Sequence, residues 1–197
     1  CTDDDDLLIT TLKGQCIRFR ASDVRLFVGR SSTGVRGIRL AQDDRVISSA
    51  IIKSMSATTE ERAAYLKMSR AVRGDIDSEN DENEENVENI TPAILSDEKY
   101  AEMGASEQFV LSISNNGYGK RTSTFEYRVT GRGGKGIIAM VVNDRNGNIA
   151  DSFPVDSTNQ IILVTNNGKL IRCPVDDIRI ASRSTQGVKI FDVDDQE

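Results

Sequence analysis

Histidine is absent from the 197 residues. Its absence removes imidazole acid–base catalysis, histidine metal sites and Ser-His-Asp triads together. Cysteine occurs at positions 1, 16 and 173 only, an odd number with no C-x-x-C spacing. Free thiols in a reducing compartment are therefore expected, rather than a disulfide framework or a zinc site. No apolar run approaches the roughly 20 residues of a membrane-spanning helix. The first six residues are polar and acidic, the opposite of a signal peptide, so a cytoplasmic protein is expected. Chemistry carried out within this chain starts with little to work on.

What the chain has is charge, unevenly spread. The formal net charge is −6. Residues 53–108 carry 6 basic and 14 acidic side chains, and the rest carries 19 basic and 17 acidic. Eight of those 17 acids sit at residues 3–6 and at Asp192, Asp194, Asp195 and Glu197, so the remaining body is basic, 19 against 9. The distribution leaves room for a polyanionic partner that the overall sign would hide.

The body repeats. Three segments begin LLITTLKGQCIRF, FVLSISNNGYGKRT and IILVTNNGKLIRC, and continue GRSSTGVRGIRL, GRGGKGIIAMVV and SRSTQGVKIFDV. Gly14, Gly117 and Gly168 align, each followed four residues on by an arginine: Arg18, Arg121, Arg172. A second signature, R-x-x-x-G, recurs as Arg30/Gly34, Arg132/Gly136 and Arg183/Gly187. Both landmarks have a period of 51 residues between the second and third copies. Between the first and second copies an insertion of 51 residues intervenes, where the acidic stretch lies. Thr58-x-x-Glu61 opens a predicted helix to Arg73 with a Gly74 stop. Residues 75–89 are expected to be disordered, with charge that restrains binding of a polyanion by the basic body. A short second helix is predicted over 96–104.

Each copy reads as β. Apolar runs at 7–12, 109–114 and 161–165 lead into turn signals, Asn-Gly being the strongest. A second strand runs through Ile17, Lys120 or Ile171. A third is predicted at 35–40, 137–142 and 188–193, and a fourth at 46–52 and 149–155. Four strands per roughly 50 residues, repeated, is an all-β, propeller-like array of four-stranded antiparallel blades. The expected boundaries are residues 1–52, 53–106 (the helical and acidic insertion), 107–156 and 157–197. The third copy stops short of its fourth strand, so the chain is expected to be a piece of a larger array with an unfilled β edge, and to self-associate through it.

The run 131–136, GRGGKG, matches G-x-G-x-x-G, but a β-run follows instead of a helix, and Gly136 stands where a P-loop needs Ser or Thr. A nucleotide site is not expected there. The acidic runs lack the order of a calcium loop, and no metal site or catalytic residue is expected in this chain. The repeated cations are more informative. Arg18, Arg121 and Arg172 occupy one register and Arg30, Arg132 and Arg183 another, with Arg36, Arg39, Lys120, Lys135, Lys169 and Lys189 nearby. Two readings stand side by side: arginines that pack consecutive blades together, or a belt of cations that tracks the backbone of duplex DNA without base readout. Aromatics are scarce around them, which disfavours single-strand stacking.

STGVRGIRL (32–40), NGYGKRT (116–122) and STQGV (184–188) resemble the C-terminal domain of the A subunit of bacterial DNA gyrase. The resemblance covers all three repeats and implies the last three blades of a six-bladed β-pinwheel that wraps duplex DNA. By that resemblance the holoenzyme is an ATP-hydrolysing, magnesium-dependent type IIA topoisomerase that introduces negative supercoils, in company with the gyrase B subunit and the rest of the A subunit. None of the holoenzyme's catalytic groups maps onto this chain. TGRGGKG (130–136) is similar to the family's QRRGGKG box, which belongs to the first blade, and is an echo of it. Two alternatives stay open: the related domain of the topoisomerase IV A subunit, and a propeller scaffold for protein partners.

Overall fold

The computed structural model describes residues 1–74 and 94–193. The acidic run at 75–89, expected to be disordered, lies outside the described residues, as do residues 194–197. The chain divides into two compact units, residues 1–54 with 108–197, and residues 55–107.

The larger unit is built from antiparallel sheets. The first repeat supplies β1 (Asp5–Thr11), β2 (Gln15–Arg20) and β3 (Val46–Lys53). The second supplies β4 (Phe109–Ser114), β5 (Tyr118–Ser123), the two-residue β6 (Ile137–Ile138) and β7 (Ile149–Val155). The third supplies β8 (Gln160–Val164), β9 (Leu170–Pro174) and β10 (Val188–Lys189). A short 3-10 turn follows the second strand of every copy, at Ala21–Asp23, Thr124–Glu126 and Val175–Asp177.

The strand orders are β3-β1-β2-β6, β10-β5-β4-β7 and β8-β9. The fourth strand of each four-stranded sheet therefore comes from the next repeat. Ile137 and Ile138 pair with Cys16 and Gln15, and Val188 and Lys189 pair with Gly119 and Tyr118. The expectation of a third strand within each copy is corrected in two ways. The strands at 137–142 and 188–193 shrink to two residues each, because beyond them the backbone turns to bond the preceding repeat's hairpin. Ala139 and Met140 donate to the Gly14 carbonyl, and Ile190 and Phe191 to that of Gly117. Residues 35–40 form no strand, having no preceding repeat among the described residues to pair with.

This exchange explains why glycines mark the repeat. Gly14 and Gly117 have φ of 84° and 76°, a left-handed conformation that costs an L side chain about 1–2 kcal/mol. A Cβ on Gly14 would also run into the Met140 carbonyl, and one on Gly117 into that of Phe191. Gly136 presses back in the same way on the carbonyl of Cys16. Gly168 has the same φ sign, 82°, but nothing within 4 Å. The two sequence landmarks are thus the two faces of one contact between consecutive repeats.

The core follows the contacts. One cluster joins Leu8, Cys16, Ala50 and Ile52 of the first repeat to Val110, Tyr127 and Ala139 of the second. Another joins Leu111 and Ile113 of the second to Ile161, Val175 and Ile178 of the third. A smaller one, Ile17, Phe19 and Ile38, belongs to the first repeat alone. Period-2 alternation sends Leu8 to the first cluster while Leu7 and Ile9 pack on the third. On the β8-β9 sheet, Ile162, Val164 and Leu170 stay more than half exposed.

The smaller unit holds α1 (Thr59–Arg73) and α2 (Asp97–Ser106). Thr58 and Glu61 close the capping box reciprocally, and Gly74 ends α1 in the left-handed region. Tyr65 stacks on Tyr100 at 5.0 Å and donates its hydroxyl to Glu107 at 2.9 Å.

Gly117→Ala should cost about 3 kcal/mol, summing the left-handed backbone and the clash with the next repeat. Gly168→Ala should cost only the backbone share, about 1 kcal/mol. Urea denaturation of both variants checks the difference.

Candidate nucleic-acid interface

The repeated arginines divide by where their partners lie. Arg18 is 6% exposed. Its Nε donates to the buried Asp6 at 2.8 Å, and its Nη1 to the carbonyls of Thr124 and Tyr127 at 2.7 and 3.4 Å. Those carbonyls belong to the 3-10 turn of the next repeat and its C-terminal cap. Arg121 does the same one repeat later, donating to the carbonyls of Ile178 and Asp176 at 2.7 and 2.9 Å and to the Asp176 carboxylate at 3.1 Å. Phe109 stands at the register of Asp6 and lies under the Arg121 guanidinium, 5.9 Å from ring centre. A carboxylate in one repeat and an aromatic face in the next thus meet the same need, company for a guanidinium removed from water.

The second arginine series reaches the other way. Arg132 donates to the carbonyls of Asp23 and Arg36 in the first repeat, at 3.0 and 3.2 Å. Arg183 donates to that of Ile138 in the second, at 3.1 Å, and its backbone N–H donates to Glu126 at 2.7 Å. Lys120 is fully buried, with its ammonium held by the carbonyls of Ser182, Arg183 and Thr185 at 2.5, 2.6 and 3.0 Å.

Arg18, Lys120 and Arg121 therefore leave the expected DNA-contacting set. Their charged ends are buried between repeats, and no phosphate meets them unless the repeats separate. Arg132 and Arg183 are committed to neighbouring carbonyls, though Arg132 remains exposed. Arg30, Arg36, Arg39, Lys135, Lys169, Arg172 and Lys189 are exposed. Lys189 pairs with Asp192, which raises the lysine's pKa and lowers that of the carboxylate. Arg30 and Arg172 share register with clamping arginines but clamp nothing among the described residues, which hold no repeat before the first or after the third.

Sequence reasoning missed a third repeated arginine. Arg25, Arg128 and Arg179 stand eleven residues after Gly14, Gly117 and Gly168, and all three are exposed. The signal was available in the same alignment that gave the other two series. Arg25 lies over the ring of Phe27 at 4.6 Å. The structure also adds Arg145, whose Nε donates to the Tyr118 hydroxyl at 3.2 Å and whose guanidinium stacks over that ring.

These side chains can hold a polyanion. Cys16 is completely buried, and burial pushes its thiol up to about 12. Burial likewise raises the Tyr127 hydroxyl. Among the described residues no group of three or more His, Cys, Asp or Glu side chains is placed to hold a metal ion, and no helix is long and apolar enough to cross a membrane.

With that geometry in hand, comparison with known proteins is specific. The family of the DNA gyrase C-terminal domain, a β-propeller, matches residues 5–53, 108–156 and 159–197. The chain belongs to this family. Over its full length it is 43% identical to the DNA gyrase A subunit of Rickettsia bellii. Its identity to the DNA gyrase A subunit of Granulibacter bethesdensis is 42%. It spans only 21% and 22% of those two proteins. Among solved structures, the C-terminal domain of DNA topoisomerase IV matches 96% of this chain and 43% of its own, with a TM-score of 0.64 at 16% identity. The E. coli ParC C-terminal domain matches 96% of this chain and 57% of its own, at 0.57 and 14%. At these identities the structural likeness shows the shared fold alone. The three matched segments of the gyrase family coincide with the three repeats and omit the helical insertion.

Arg18→Ala should destabilise the chain by about 3–5 kcal/mol, since it leaves Asp6 buried and uncompensated. Arg172→Ala, at the same register but exposed, should stay within about 0.5 kcal/mol. Thermal and urea unfolding of the pair read this directly. An alkylating reagent at pH 8 should modify the exposed Cys1 and leave Cys16 untouched until the chain unfolds, as peptide mapping of the labelled chain will report. The raised thiol also fixes a sign. Cys16 contributes stability below its unfolded value of 9.0 that is lost as pH rises toward about 12.

Proposed function

We propose that this chain binds duplex DNA along its exposed repeated arginines and helps a gyrase holoenzyme wrap DNA before strand passage. The observation that carries the reading is the register of Arg25, Arg128 and Arg179. A cation returns at one position in every repeat, exposed, while Arg18, Arg121 and Arg132 of the other two series join the repeats. A fixed repeat of cations suits a polymer with a fixed repeat of charge, and the described residues of the repeats hold no α-helix to read base edges. ATP-dependent negative supercoiling, the holoenzyme's ATP and magnesium, its B subunit and a nucleoid location belong to the same proposal, supported by the relatives being named as gyrase A subunits. Those names, on sequence identities above 40%, favour gyrase over topoisomerase IV.

Fluorescence anisotropy with labelled duplexes of several sequences, stepped through salt, tests this. Affinity should be nearly independent of sequence and should fall steeply with salt, with a log–log slope of about −0.9 for each phosphate engaged. Replacing Arg25, Arg128 and Arg179 together by Ala should lower the slope by about three. No binding at low salt, or binding indifferent to salt, contradicts the reading and favours a scaffold for protein partners.

A further inference from the structure

The chain contains three Asn-Gly pairs, at 116–117, 146–147 and 167–168. The dipeptide suits tight turns, because glycine takes a positive φ without cost. It also carries a reaction. With no Cβ beside it, the glycine nitrogen can reach the side-chain carbon of the preceding asparagine. That nitrogen gives its proton to hydroxide and attacks Cγ, closing a succinimide ring. The Cγ–Nδ2 bond breaks, and the side-chain nitrogen leaves as ammonia after taking a proton from water. Water then opens the ring at one carbonyl or the other, giving aspartate or isoaspartate. The net change is amide plus water to carboxylate plus ammonium, so the fold has only to allow or deny access.

The fold treats the three pairs differently. Gly117 is buried, and Ile190 and Phe191 of the third repeat donate to its carbonyl. Asn116 is tied across its own repeat, its Nδ2 donating to the carbonyls of Asp144 and Arg145 at 3.3 and 3.1 Å. Asn146 is fully buried. Its Nδ2 donates to the carbonyls of Val141 and Gln186 at 2.7 and 3.2 Å, and its Oδ1 accepts from the Asn143 N–H at 2.8 Å. Turning either carboxamide onto its glycine nitrogen breaks these bonds and disturbs the junction with the third repeat. Asn167 and Gly168 are both exposed, between β8 and β9, and a Cβ on Gly168 would meet nothing within 4 Å. The turn bond itself does not distinguish the sites: Gly168 N–H donates to Thr165 and Gly117 N–H to Ser114, both at 3.0 Å. Burial and the grip of the next repeat do. An exposed turn opens locally at small cost, whereas buried contacts open only with the structure around them.

We propose that Asn167 is a modification site, which deamidates through a succinimide with Gly168 in the folded chain while Asn116 and Asn146 are protected. The product sets a new carboxylate two residues from Lys169, one of the exposed cations. Isoaspartate also carries the main chain through the side-chain methylene. It thereby lengthens a turn whose length fixes the register of β8 against β9.

The test incubates the whole 197-residue chain at mildly alkaline pH, once folded and once in urea. Peptide mapping reads the amide-to-acid mass change at each asparagine, and methylation by an isoaspartyl methyltransferase with a labelled methyl donor counts isoaspartate. In urea the three sites should convert at similar rates. In the folded chain Asn167 should convert at least roughly tenfold faster than Asn116 and Asn146. Gly168→Ala, whose Cβ crowds the attacking nitrogen, should suppress the product at Asn167 in urea as well as in the folded chain, so the result does not depend on the variant's stability. Equal rates at the three sites in the folded chain, or Asn167 as slow as Asn146, overturn the proposal. Product at Asn167 that is indifferent to Gly168→Ala means direct hydrolysis of the carboxamide and overturns the succinimide route.

Discussion

The structure depends on an arginine that leaves its own repeat to hold the next. Arg18 and Arg121 place guanidinium groups on carbonyls of the following 3-10 turn, while Arg132 and Arg183 return the contact to the preceding repeat. A buried guanidinium is a poor source of net stability compared with apolar side chains of similar volume. The clusters around Leu8 and Val110, and around Leu111 and Ile161, supply the burial that holds the junctions closed. What the arginines add is register. A slip of one residue would leave several charges and carbonyls buried without partners, at several kcal/mol. The strand exchange and the glycine contacts work within that register: β6 and β10 are too short to specify their own pairing, and Gly14 and Gly117 let the next backbone approach closely enough to bond.

Charge in the larger unit is thereby divided between two uses. Cations such as Arg18 and Arg121 are spent on assembly with an adjacent repeat, and those eleven residues after the turn glycine are exposed. The same division explains the difference between the junctions. At the second junction the Lys120 ammonium takes carbonyls of the third repeat, whereas Ile17 stands at that register in the first. Net charge says nothing about this, since much of the excess acid lies at the chain ends and in the insertion.

The repeats, their turns, the strands around them and both helices were legible in the sequence, because each rests on a local rule: apolar runs, a glycine with positive φ, a capping box at Thr58 and Glu61. The exchange of strands was not legible from residues 137–142 alone. A short apolar run pairs as well with one neighbour as another, and only the close approach at Gly14 selects the preceding repeat. The fate of Arg18 and Arg121 was left even between packing and binding, since Asp6 and Phe109, which share a register, look unrelated until their common role is visible. Lys120 was readable after all. Its counterparts, Ile17 and Ile171, mark an apolar register, so a lysine there points inward. Arg25, Arg128 and Arg179 were missed because no glycine stands beside them to draw the eye.

The division of arginines is tested most directly by arginine-specific modification with phenylglyoxal, mapped by mass spectrometry with and without saturating duplex DNA. In the free chain Arg25, Arg128 and Arg179 should react and Arg18 and Arg121 should not; DNA should then protect the first three and leave the other two unchanged. Ready modification of Arg18 and Arg121 in the folded chain, or full reactivity of Arg128 under DNA, would contradict the division.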